Sequence, residues 1–228
     1  MQRQAGAIEL LDGPLDIERL AGNLDDLARF NRHGGELSWQ LLGSLQPSRG
    51  VTTLLDVGTG GADIPRDLLR RAGKAGLHLR VTGTDVRPEI VEIARNRSAG
   101  TADLEICLAQ AGSIDFADGA FDVVHSSLLL HHLEPPDAVH LLREMGRVAR
   151  VGVIVNDLDR RRLWWLAAKL LGAFATRNQY TRNDAPLSVA RAYHPDEVVE
   201  FAARAGMRKV ARRWARPPYR YGLAFVRE

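Results

Sequence analysis

The sequence has a single cysteine, Cys107, so no disulfide can form within the chain. That usage suits a reducing compartment, and a cytoplasmic location is the expectation. Apolar runs are short. The longest, Leu163 to Ala168, falls far below the ~20 residues that a membrane-spanning helix needs. Residues 1–13 lack the basic-then-apolar pattern of a secretion signal. Aromatic residues make up only 6% of the chain, and the net charge is +3 over 228 residues. So small an excess does not point to nucleic acid. Only the C-terminal part is basic, with Arg204, Arg208, Lys209, Arg212, Arg213, Arg216 and Arg220. No aromatic RNA-binding signature accompanies these residues, so they read as a solvated face of terminal strands. No internal repeat and no low-complexity segment is present.

What is present is a core-forming composition, 45% hydrophobic, enough for one α/β domain. The most informative run is Leu54 to Ile64: an apolar strand breaks into Gly58-Thr59-Gly60-Gly61, and an amphipathic helix follows. Glycines let the backbone turn sharply and approach a ligand, and the new helix points free N–H groups at the turn. A second strand, Leu79 to Asp85, ends in an acid. Gly58-x-Gly60 after one strand, with an acid closing the next, describes a nucleoside-binding crevice. A nicotinamide dinucleotide is the alternative, but its fingerprint needs a small residue where Asp63 stands.

Residues 1–50 read as a helical cap, with Leu20, Leu24 and Leu27, then Leu37, Leu41 and Leu42, at helical spacing and Gly34-Gly35 between them. From residue 51 to 228 a core of alternating strands and helices is expected. Strands fall at Val51–Val57, His78–Asp85, Leu104–Ala109, Phe121–Ser127 and Gly152–Asp157, and helices at Ile64–Ala72, Pro88–Asn96 and Pro136–Val148. The strands are almost wholly apolar, as in a parallel sheet covered on both faces, so the fold class is α/β with a doubly wound sheet. A further helix is expected at Arg160–Phe174, then a polar lid over 175–193 containing Pro186. A helix at Pro195–Ala205 and two strands joined at Pro217-Pro218 close the chain.

Asp56-x-Gly58-x-Gly60, Asp85, Asp118-Gly119-x-Phe121-Asp122-Val123-Val124 and Leu130-His131-His132-Leu133, in this order, resemble the class I S-adenosylmethionine (SAM)-dependent methyltransferases from Leu54 to the C-terminus. The resemblance implies a seven-stranded Rossmann-like sheet with an antiparallel strand, and SAM as cofactor. It places the methionine part of SAM at Asp56 and the Gly58–Gly60 turn, the ribose hydroxyls on Asp85, and the adenine on Val86. Gln110 and Ala111 stand where the family has an acid and a small residue that read the adenine edge, and the Gln110 amide can still accept one hydrogen bond. Ser126, Ser127 and Leu128 would line the wall beside the sulfonium. Val155-Asn156-Asp157-Leu158, the arginine-rich helix start and Thr181 to Ser188 look like small bacterial methyltransferases of secondary metabolism, some of polyketide or quinone pathways.

His131 and His132 follow the fourth strand at the ligand-binding edge of the sheet. Either suits proton abstraction near neutral pH, or one buttresses the loop. Their spacing supplies no third metal ligand, so no metal is expected. Trp164, Arg182, Tyr193 and His194 are candidate substrate contacts. The bland readings are core packing for the Trp-bearing helix, local loop order for Arg182, and a helix start for His194. Cys107 reads as a small core residue. The expected function is methyl transfer to a small, largely apolar aromatic, polyketide or quinone-like metabolite, O-methylation before C-methylation. RNA methylation and non-catalytic SAM binding are the alternatives, and a homodimer is compatible with the apolar helices.

Overall fold

A computed structural model describes the chain except residues 8, 11–12, 14–16, 48–49, 110–111 and 176–177. Two helices lead: α1 (Ile17–Phe30) and α2 (Arg32–Leu45). The alternation follows as β1 (Thr52–Val57), α3 (Asp63–Lys74), β2 (Leu79–Asp85), α4 (Pro88–Ser98), β3 (Leu104–Leu108), β4 (Phe121–Ser127), α5 (Pro135–Val148) and β5 (Ala149–Leu158). Then come α6 (Arg162–Ala175), α7 (Gln179–Arg191), α8 (Pro195–Arg204), β6 (Met207–Trp214) and β7 (Arg220–Arg227). The seven strands form one sheet in the order β3-β2-β1-β4-β5-β7-β6. The first five are parallel, and β7 runs antiparallel to both β5 and β6. The order reverses between β1 and β4, which opens a crevice at the carboxyl ends of those strands.

Strand residues alternate between two cores. Leu54, Val123 and Ile154 face α2 and α3, together with Leu37, Leu41 and Leu68. Leu55, Val124 and Val153 face the opposite way, with Leu142 and Met145 of α5 and Phe201 of α8. Burial on both faces explains the unbroken apolar runs. No described helix is long and apolar enough to cross a membrane.

Two expectations are corrected. Gly34 and Gly35 do not separate the cap helices. They lie inside α2, and the break falls at Asn31. A Cβ on Gly34 would sit 2.6 Å from Nη1 of Arg220, so close packing rather than a turn requires glycine there. The polar stretch expected as a lid is also helical, for α6 continues to Ala175 and α7 spans Gln179–Arg191. Pro186 forfeits one helical hydrogen bond inside α7. Tertiary contacts outweigh that loss: Thr181 donates to Asp26 of α1 at 2.9 Å and Ser188 to Glu9 at 2.9 Å. Thr181 and Asp184, polar residues that read as loop, are buried and paired.

Candidate active site

The turn between β1 and α3 is pinned to the end of β2. The N–H groups of Gly58 and Thr59 both donate to the Thr84 carbonyl, at 2.9 and 2.8 Å. Gly58 and Gly60 have φ of 71° and 54°, the left-handed region where a side chain strains the backbone. The Gly60 N–H donates to Asp85 Oδ2 and the Arg87 N–H to Oδ1, each at 3.1 Å. Burial pushes the Asp85 carboxyl above its ordinary range, and these N–H groups only partly offset it. Leu128, at the mouth of β4, also has positive φ, 55°. Strain of that kind persists only where surrounding structure imposes it.

Asp56 lies beneath the turn. Its Oδ2 accepts from the Thr59 hydroxyl at 2.8 Å and its Oδ1 from Nδ1 of His125 at 2.6 Å. With Nδ1 donating, Nε2 of a neutral His125 accepts from Ser38 Oγ at 2.8 Å. Ser38 in turn accepts from Asn156 Nδ2 at 3.0 Å, and Asn156 Oδ1 accepts from Nε of Arg220. One buried polar column therefore joins the glycine turn, β4, α2, β5 and β7. The sequence reading missed His125, Ser38 and Asn156 as parts of it. A histidine inside Val123-Val124-His125 was the available signal. Arg220 was expected on a solvated face, and that reading is corrected: it is 1% exposed, because the side chain follows the parity of Gly222 and Ala224 into the α2 face.

A second cluster occupies the opposite face of the sheet. Asp157, at the end of β5, accepts from the backbone N–H of His131 at 3.2 Å and from its Nδ1 at 2.7 Å. Burial alone would raise this carboxyl. His131, the Leu158 N–H and Arg220 outweigh burial and hold it below its ordinary range. The bond to Asp157 fixes the tautomer and leaves the Nε2 lone pair of His131 free to accept. Glu9 brings its carboxylate within 3.9 Å of Nε2 of both His131 and His132. The third group that histidine spacing could not supply thus comes from the N-terminal segment, and the ligating atoms of all three lie within 4.8 Å of one another. Glu9, however, already accepts from Ser188 and lies 3.7 Å from the Arg191 guanidinium, which disfavours a further cation. The arrangement is suited to moving a proton.

The remaining predicted residues separate. Val86 is half exposed beside Asp85, and Ser127 accepts from Arg220. Trp164 packs edge-on against Tyr219, which meets the ring of His33. Arg182 is exposed on α7. Tyr193 is buried against Phe201, and its hydroxyl donates to the Leu133 carbonyl at 2.7 Å. His194 caps α8 and lies 3.0 Å from Asp159. Gln110 and Ala111 lie outside the described residues.

The chain matches the methyltransferase domain family over residues 54–152. It is 27% identical over 169 residues to the ubiquinone/menaquinone biosynthesis C-methyltransferase of Cupriavidus necator, covering 69% of this chain and 68% of that protein. It is 29% identical over 139 residues to the demethylmenaquinone methyltransferase of Thermotoga maritima, spanning 59% of this chain and 55% of that relative. Among solved structures, a SAM-dependent methyltransferase from Aquifex aeolicus superposes with a TM-score of 0.66 at 22% identity, over 93% of this chain and 98% of that one. Sheet order, glycine turn and Asp85 define the fold of the class I methyltransferases. The chain has the class I methyltransferase fold, matches a methyltransferase domain over residues 54–152 and is similar in sequence to bacterial quinone methyltransferases, and SAM is the cofactor this points to. Its residues fit the cofactor. The Asp85 carboxylate can accept from two ribose hydroxyls, and Val86 offers an uncovered apolar surface. The Ser126 hydroxyl is buried with no partner among the described residues.

Proposed function

We propose that this enzyme methylates a small phenolic or hydroquinone-type metabolite, with the acceptor at the His131–His132 edge of the sheet. The observation that carries the reading is the 2.7 Å contact of Asp157 with Nδ1 of His131, which turns the opposite ring nitrogen into a proton acceptor. SAM, when bound, supplies an electrophilic methyl group on a sulfonium. The protein's part is to hold the acceptor in line and to manage its proton. His131 takes the phenolic proton at Nε2, and the buried Asp157 stabilises the imidazolium. Ionising a phenol enriches both its oxygen and its ortho carbons. Attack through oxygen is preferred, because it needs this proton removed, whereas an activated ring carbon needs help only at the later proton loss.

An apolar acceptor is supported by the ring contacts of Tyr219 with Trp164 and His33, beyond the end of β5. The names of the quinone methyltransferases among the relatives support the same substrate class. The test is transfer of labelled methyl from SAM to a panel of phenols and hydroquinones, with the methylated atom located by NMR. His131→Asn is expected to lower kcat by about 10²- to 10⁴-fold, with affinity for S-adenosylhomocysteine unchanged. Turnover of a peptide or RNA with no phenol methylated would refute the proposal, as would full activity of the His131 variant.

A further inference from the structure

Arg220 is fully buried, yet it touches no carboxylate among the described residues. Its acceptors are neutral: Asn156 Oδ1, Ser127 Oγ, and Asn31 Oδ1 at 2.7 Å. A guanidinium has five N–H donors and keeps its charge when desolvated. Three bonds leave one N–H open on each terminal nitrogen. Asp157 and Asp63 act on it only from beyond contact. Asp63 opens α3 directly after the glycine turn and touches no cation among the described residues. Its carboxylate lies beside the Asn31 side chain. Asn31, at the junction of α1 and α2, therefore accepts from Arg220 and stands next to Asp63. A cation and an anion, each without an opposite charge in contact, are fixed near each other between the glycine turn and the mouth of β4. An unpaired buried charge is costly, so such a pair fits a ligand that brings both signs.

We infer that Arg220 and Asp63 form a zwitterion clamp, Arg220 binding the α-carboxylate and Asp63 the α-ammonium of the cofactor's methionine end. A guanidinium matches a carboxylate in a bidentate geometry that lysine cannot reproduce. The clamp also gives α2 a role in cofactor binding. Gly34 admits Arg220, and Asn31 accepts a hydrogen bond from it.

Titration calorimetry with three adenosine thioethers tests the assignment. S-adenosylhomocysteine carries both charges, its decarboxylated analogue only the ammonium, and 5′-methylthioadenosine neither. Wild type should bind them in that order, with roughly 10- to 100-fold lost when the carboxylate is removed. Arg220→Met should lower affinity for S-adenosylhomocysteine to that of the decarboxylated analogue and leave 5′-methylthioadenosine unchanged. Asp63→Asn should weaken the two amine-bearing ligands alone. A variant that weakens all three alike would reduce Arg220 to a structural role and overturn the inference. If neither variant folds, the wild-type series decides, and equal affinity with and without the carboxylate overturns it. Wild type that binds none of the three overturns it together with the cofactor assignment.

Discussion

Glu9 carries the residue-scale consequence with the clearest sign. Burial pushes its carboxyl from 4.5 up to about 6, against the opposing pull of His132, Ser188 and Arg191. Between those two values the folded chain keeps a proton that the unfolded chain has released. Stability from this group is therefore fully present below pH 4.5 and is lost as pH rises through about 6. The loss amounts to about 2 kcal/mol. Urea denaturation at pH 4.5 and pH 7 should show wild type losing about that much more stability than Glu9→Gln across the interval, and equal losses would refute it. His131 and His132 were legible in the sequence because they stand together after a strand. Glu9, which meets them in space, was not: it lies in a segment without periodic pattern, and only the tertiary contact gives it meaning. His125 and Arg220 were hidden for a related reason. A polar residue in a strand declares that it needs a partner, but not which partner.

Elements were legible where a periodic pattern met a clear stop. Strand β1, its glycine turn and α3 follow one another along the chain, and local chemistry suffices for them. Helix α7 resisted because its hydrogen-bonding side chains serve distant partners, and because Pro186 weakens it from within. Gly172 of α6 marks where the two helices press together. A Cβ there would lie 3.3 Å from the Cα and carbonyl oxygen of Arg182. Gly172→Val should force α6 away from α7 and destabilise the fold by about 1–3 kcal/mol. A thermal melt that places the variant within experimental error of wild type would show that the helices separate freely. On its outer side α6 exposes Leu163, Leu166, Leu170 and Leu171. This is why the sequence could not tell a substrate cover from a contact between copies: the apolar spacing is the same for both.

At the scale of the whole molecule, ligand binding and stability are linked. The crevice draws on the ends of β1, β2, β4 and β5, so a bound nucleoside ties together elements that unfolding would part. With S-adenosylhomocysteine at 100 times its dissociation constant, the fold should gain about 2.7 kcal/mol. For a chain of this size the melting temperature should then rise by roughly 5–10 °C. NAD at a similar concentration should leave it unchanged, and the opposite pattern would refute the cofactor assignment. The sequence by itself determined the alternation of strands and helices, the doubly wound class, the glycine turn and the acid that closes the second strand, because each depends on residues close together in the chain. Only the tertiary structure decided that Arg220 is interior and that Asn31, 189 residues away, would hold it. The same is true of Glu9 and the histidines at the opposite face of the sheet. Such pairings depend on strand register and on which helix crosses above, and no local pattern records either.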